Sequence, residues 1–475
     1  APGAPGTPEG GSGAANLGVP GTFGAEAMPL PPRPNTATGG IRSAPIVRSG
    51  VIYYTLGANA YALDARTGKQ IWHYVGSSSG GISNRGLAIS GDTLFMMANG
   101  GLTAISAATG EELWRKAADG PVPASAPVVI RDHVIFGMGA DGGSVRSWLE
   151  SRDPKTGEVQ WKWFATPGVG EEGIETWPDV QAANRGAGTP WQPLSYDPKL
   201  NLLYIGTGNP APTKDGRTRG GDNLWTSSIV AINPDTGKMA WFFQMTPHDD
   251  HDYDGNQSIM LFDAKIDGKD RRLLGMVGRN AYMFVLDRAT GKNVYTKKFF
   301  ETANWAFPAL RPDGTPEPNP AKSPSRGGSL VNPSSEGATN YPVASYSPQT
   351  GLIYAYTVNS WSIFYNGNET WFGDFRSAVK AWDAKNGKLA WEHAYREPYG
   401  IQARYPGLLT TAGGLVVTGD VSGNAIALDA KTGKALWHDP LPGYPVTNAP
   451  QTYFLDGRQY ILLASGENLY AYTIN

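Results

Sequence analysis

Cysteine is absent from all 475 residues. Its absence excludes disulfides, thiolate metal sites and a haem attached through a Cys-x-x-Cys-His motif, and leaves the compartment open. No apolar run approaches the roughly 20 residues needed to cross a bilayer as a helix. Charge of one sign is missing as well: the formal net charge is −2 and no basic stripe interrupts the chain, so nucleic acid is not a natural partner. Residues 1–40 lack a hydrophobic stretch and are rich in Gly, Pro and Ala. They read as a loosely ordered tail or as a mature N-terminus left by signal removal, with 41–475 as one further unit.

Glycine and proline are plentiful, at 61 and 37 residues, as a turn-dense β protein requires. They mark a repeated phrase, Asp-x-x-Thr-Gly-Lys-x-x-Trp or close to it. Its first clear copy runs from Asp64 to Trp72 and its last from Asp429 to Trp437, with versions ending at Trp114, Trp161, Trp241, Tyr295 and Trp391 between them. Asp or Asn ahead of Thr-Gly is hairpin chemistry. The first side chain bonds backbone N–H groups two residues on, and the glycine takes the positive φ. The recurrent Trp offers a large apolar face at a fixed place on a strand, suited to wedging between neighbouring sheets. The turn glycines, Gly68, Gly110, Gly157, Gly237, Gly291, Gly387 and Gly433, are spaced at the ends of the series like four-stranded blades. Longer intervals in the middle imply loop insertions. Three strand-like runs, 447–454, 459–464 and 468–474, follow the last copy. A closing blade that borrows one strand from near the N-terminus gives an all-β, eight-bladed β-propeller, with seven blades as the alternative.

The densest polar cluster is His248-Asp-Asp-His-Asp-Tyr-Asp254. Four aspartates and two histidines in seven residues repel one another without a counter-charge, and a hard cation with oxygen ligands is one remedy. A solvated acidic loop is the other reading.

With Asn84-Arg-Gly-Leu-Ala88, Gly206-Thr-Gly-Asn-Pro-Ala-Pro212 and Gly221-Asp-Asn-Leu224, this cluster and the Trp repeats resemble the pyrroloquinoline quinone (PQQ) dependent alcohol dehydrogenases, from about Ile41 to the C-terminus. The resemblance implies PQQ lying flat on Trp191, with Arg85 pairing one of its carboxylates and Asn359 as a further contact. It implies a metal held by Asn209, Asp252 and Asp254. Asp141 stands in the text Gly139-Ala-Asp-Gly-Gly-Ser-Val-Arg146 where the family carries a metal-binding Glu. Asp252 would be the catalytic base and Arg279 the cation beside the quinone oxygens. Family members that use Ca²⁺ have a small residue at the position of Asp254, and those that use a lanthanide have a second Asp. An added carboxylate better neutralises a trivalent ion, so a lanthanide is expected, with Ca²⁺ as the alternative. Ser79-Gly80 replaces the family's adjacent cysteines, and Thr213 replaces a Trp that walls the substrate cavity, which favours an alcohol bulkier than methanol.

The implied activity is oxidation of a primary or secondary hydroxyl to an aldehyde or ketone by metal-assisted hydride transfer to PQQ. A separate cytochrome c would be the electron acceptor and the periplasm the location. A quinoprotein for polyols, sugars or polyvinyl alcohol is an alternative. So is a non-catalytic scaffold propeller, which has no need of Asn209, Asp252, Asp254 and Arg279 together. The stretch 307–335 reads as a substrate-choosing cap loop or an inert excursion.

Overall fold

The repeated phrase folds as its chemistry requires. Asp64 Oδ1 accepts the backbone N–H groups of Arg66 (3.0 Å) and Thr67 (2.8 Å), and Asp153, Asp287 and Asp429 do the same in their copies. Gly68 takes φ 70° and Gly433 φ 71°. The computed structural model describes residues 40–473 except 78–84, 119, 121–124, 141, 193, 325–326, 396–405, 421–422, 442–445, 447 and the side chains of 372–375.

Among them, six four-stranded antiparallel sheets form in simple chain order. Five lead the chain, running from Ile46–Arg48 to Gln70–Tyr74, from Leu87–Ser90 to Glu112–Ala117, from Val128–Ile130 to Val159–Phe164, from Ser195–Asp197 to Met239–Gln244, and from Met260–Ile266 to Asn293–Lys298. A five-stranded sheet built on Leu352–Tyr365 and Asn368–Asp383 follows. The sixth four-stranded sheet, Leu409–Thr410 to Ala435–Pro440, comes next. The last sheet has three strands, Gln451–Leu455, Arg458–Ser465 and Asn468–Thr473, close to the three runs expected. The borrowed fourth strand is not found among the described residues; Ile41 reaches this sheet, donating its N–H to the Gly466 carbonyl at 2.7 Å.

Trp72, Trp114, Trp161, Trp241 and Trp391 each dock on the turn glycine of the next sheet. A Cβ built on Gly110 would stand 2.7 Å from the Trp72 ring, and one on Gly237 would stand 2.7 Å from Trp161. Glycine is therefore required twice over, for its φ and for the indole lying on it. The indole N–H completes the dock: Trp72 donates to the Ala107 carbonyl at 3.0 Å and Trp161 to the Pro234 carbonyl at 2.7 Å. Tyr295 takes the same part through its hydroxyl, which donates to the Ala384 carbonyl at 2.9 Å.

The core lies between successive sheets. Tyr53 and Trp72 of the first sheet pack with Leu94 and Met96 of the second, and Phe95 with Val134 and Phe136 of the third. Ile52 of the first sheet packs with Tyr453, Leu455 and Leu462 of the last. No Trp sits on Gly68. That junction carries instead the two-pronged Arg66–Asp456 ion pair at 2.7 and 2.8 Å.

Candidate active site

The loop after Met239–Gln244 carries the acidic cluster, and its four aspartates do different work. Asp249 folds the loop, accepting the N–H of His251 (3.0 Å), the N–H of Tyr253 (2.7 Å) and the Ser227 hydroxyl (3.0 Å). Asp250 pairs with His251 Nδ1 at 2.8 Å. Burial works against the charged imidazole, yet Asp250 and the Lys322 carbonyl raise its pKa. Only Asp252 and Asp254 turn to a common cation, Arg279. Its Nη1 lies 2.5 Å from Asp254 and its Nη2 lies 3.4 Å from Asp252. Asp252 sits at φ 71°, a left-handed backbone that Asp tolerates better than most residues. Burial raises its pKa well above the usual carboxylate range; Arg279 opposes the shift, and Asp254 and Asp249 add to it.

Asp254 joins this loop to the Gly-Thr-Gly-Asn segment. Its Oδ1 accepts the Asn209 N–H at 2.6 Å. The approach needs glycine: a Cβ on Gly208 would stand 3.1 Å from Asp254 Oδ1, and one on Gly206 would overlap the Gly255 carbonyl. Asn209 Nδ2 donates to the Pro210 carbonyl and to Thr213 Oγ1, both at 3.0 Å. Thr213, at the position of the family's cavity-walling Trp, thus also orients the Asn209 amide. The platform is tied in as well: Asn256 accepts the Trp191 N–H at 3.2 Å and donates to the Thr189 carbonyl at 3.0 Å. The Arg85 guanidinium lies 4.4 Å over the Trp191 ring.

Asn209, Asp252, Asp254 and Arg279 therefore meet in one cluster, with Trp191 and Arg85 linked to it. Asn359 accepts from Asn332 (2.7 Å) and Thr302 (3.3 Å), and no hydrogen bond joins it to Arg279 or Trp191 among the described residues. Asp141 lies outside the described residues. Among those described, no three His, Asp or Glu side chains gather as a metal site.

Sequence reasoning missed a supporting ring. Glu369, on the long hairpin, accepts the Ser335 N–H (2.9 Å) and hydroxyl and pairs with Lys214 at 2.7 Å. The Ser335 carbonyl accepts Arg279 Nε at 2.8 Å. Asn366-Gly367, a dipeptide of tight hairpins, signals the hairpin in the sequence, but nothing local signals what Glu369 touches. The stretch 307–335 is engaged too. His251 Nε2 hydrogen bonds the Lys322 carbonyl at 2.9 Å, Tyr253 donates to the Pro333 carbonyl, and Arg311 pairs with Asp222 at 2.6 Å.

The family described as PQQ, glucose/ethanol/alcohol dehydrogenase, beta-propeller domain, matches residues 116–302 and 374–461. The quinohemoprotein alcohol dehydrogenase ADH IIB of Pseudomonas putida is 33% identical over 90% of this chain and 68% of its own length. The chain belongs to the PQQ-dependent alcohol dehydrogenase family. The lanthanide-dependent methanol dehydrogenase of Methylacidiphilum fumariolicum is 34% identical over 81% of this chain and 69% of its own length. Among solved structures, the quinohemoprotein alcohol dehydrogenase of Comamonas testosteroni superposes with TM-score 0.82 at 31% identity, covering 92% of this chain and 75% of that one. A europium-containing methanol dehydrogenase gives 0.80 at 31%, covering 91% and 84%.

This family member's residues fit a metal and a planar anionic cofactor. A buried carboxylate, Asp254, and a part-buried one, Asp252, beside an amide are donors of the kind a hard cation prefers, and in their present arrangement a single guanidinium pairs with both and leaves one negative charge for a cation to balance. Trp191 is a flat indole beside a cationic partner, the surface on which an anionic ring system would stack.

Proposed function

We propose that the chain is an eight-bladed propeller over 41–475, preceded by a tail over 1–40, that oxidises the primary or secondary hydroxyl of an alcohol bulkier than methanol. Asp252 carries this reading: a carboxylate with a quarter of its side chain exposed and a raised pKa, beside Asp254 and against Arg279. When bound, PQQ supplies the acceptor for the hydride that leaves the alcohol carbon, and the metal supplies a Lewis acid.

The protein's own residues do the rest. Trp191 supports the cofactor plane, and Arg85 pairs a carboxylate. Asn209 and Asp254, held together through the Asn209 N–H, would hold the metal with Asp252 and Asp141. Asp252 accepts the hydroxyl proton, and burial that raises its pKa makes it a stronger base than an exposed Asp. Arg279, fixed through Ser335, places positive charge where an oxygen becomes negative. A second carboxylate at Asp254 favours a lanthanide, with Ca²⁺ as the alternative. A separate cytochrome c would accept the electrons, and the periplasm would house the protein. A scaffold propeller would have no use for two carboxylates converging on one buried arginine.

The deciding assay is turnover of an alcohol panel with an artificial acceptor, by metal-stripped protein given PQQ with La³⁺ or Ca²⁺. Activity with La³⁺ that Asp254→Ala abolishes is expected. Activity with Ca²⁺ alone would contradict the lanthanide assignment, and failure to bind PQQ with either ion would overturn the quinoprotein reading.

A further inference from the structure

The segments leading into the first strands of seven of the eight larger sheets converge on one cavity of about 260 Å³ beside the Trp191 platform. Arg42 enters from the first sheet and Arg85 from the second. Gln192, Ser258, Tyr341 and Asn448 add polar groups from the fourth, fifth, sixth and last. No Asp or Glu lines it among the described residues. Arg85 is anchored over Trp191 and lies 5.5 Å from the Tyr341 ring centre. For Arg42, no hydrogen bond or ion pair is formed with any described residue.

Two guanidinium groups facing one cavity repel each other, and a low-dielectric wall strengthens that repulsion. Guanidinium is also the side chain best matched to carboxylate, which it holds with two parallel hydrogen bonds. We propose that this cavity is a carboxylate site in which Arg42 and Arg85 share a multiply charged small anion, with Asn448 and Gln192 able to donate further bonds. The anion is either the carboxylate edge of the cofactor, an assignment that rests on the quinoprotein reading, or a separate polycarboxylate that needs no cofactor.

The test titrates citrate into metal-free, cofactor-free protein at low ionic strength, following tryptophan fluorescence and heat, and repeats the titration with PQQ. Saturable citrate binding is expected, weakened at least tenfold in Arg42→Gln and less in Arg42→Lys, which keeps the charge without the fork. The melting temperature of each variant checks folding, and Arg42→Lys carries the comparison if Arg42→Gln does not fold. If citrate competes with PQQ and Arg42→Gln weakens PQQ equally, the bound carboxylates are the cofactor's. If citrate binds the PQQ-loaded protein and Arg42→Gln leaves PQQ affinity unchanged, the site serves a separate anion. Arg42-dependent citrate binding by a protein that never binds PQQ would sustain the cavity assignment while ending the quinoprotein reading. Binding of citrate and PQQ that is absent, or identical in wild type and Arg42 variants, overturns the proposal.

Discussion

Asp252 and Asp254 stand two positions apart on one loop, yet their surroundings differ. Asp254 is bound at both oxygens, by the Asn209 N–H and by Arg279, whereas Asp252 has only the longer contact to Arg279. Burial and the neighbouring carboxylates raise the pKa of Asp252, and only its ionised form can take a proton. The sign follows for the metal-free, cofactor-free protein: the Asp252 carboxyl ionises with a midpoint above the ordinary carboxylate range, and a bound cation would lower it. A titration of metal-free protein that places this midpoint at or below about 4, the ordinary Asp value, would contradict it. Asp252→Asn is expected to lower kcat by about 10²–10⁴. Glu369 acts at one remove, positioning Arg279 through Ser335. Glu369→Gln is expected to lower kcat roughly ten- to a hundredfold with KM little changed, the scale of a misplaced catalytic group. An equal loss in melting temperature and activity would reduce Glu369 to a structural role. The types of Asp252, Asp254, Asn209 and Arg279 were legible in the sequence because motifs carry them. That Asp249 and Asp250 serve the loop itself was not, since four aspartates in one short run look alike until the loop folds Asp249 onto His251, Tyr253 and Ser227 and Asp250 onto His251.

At the scale of the hairpin, the repeated turn and its docked indole form one device. Gly237→Ala places a Cβ 2.7 Å from the Trp161 ring and forces φ 69° on an alanine. Positive φ costs about 1 kcal/mol and overpacking a further 1–3, so urea unfolding should show a loss of about 2–4 kcal/mol; a change below 0.5 would contradict the dock, on the scale of neutral surface substitutions of about ±0.5. The turn carboxylates Asp64 and Asp429 are held below their ordinary pKa by the Thr hydroxyl and N–H groups they accept. A depressed pKa contributes stability above the unfolded value that is lost as pH falls through the folded one. Melting temperature should therefore decline below about pH 4. Asp429→Asn should flatten part of that decline while keeping the turn, as Asn233 keeps its own by accepting the Asp235 N–H at 2.9 Å. The turns were legible because Asp-x-x-Thr-Gly dictates local hydrogen bonds. The 14- and 16-residue strands of the Glu369 hairpin exceed the other strands because their outer halves run on to the site, where Phe364 packs in the core beside Tyr253 and Glu369 binds Ser335, which no repeat pattern signals.

The whole molecule was legible through its period, since seven phrases in one register, six ending in Trp and one in Tyr295, imply stacked sheets. What the period could not reveal is the joint between the first and last sheets. There the last sheet carries no phrase and nothing docks on Gly68, and Ile52, Tyr453 and the Arg66–Asp456 pair replace the docked indole. The central claim is that Asp252, Asp254, Asn209, Arg279 and Trp191 are assembled to oxidise an alcohol on PQQ. The most direct measurement is the absorbance of PQQ bound to metal-loaded protein after one addition of alcohol, without any electron acceptor. The account predicts that wild-type protein reduces its cofactor in a single turnover, and that Asp252→Asn binds PQQ equally well but reduces it at least a hundredfold more slowly. Bound PQQ that no alcohol reduces, or equal rates in the two proteins, would contradict it.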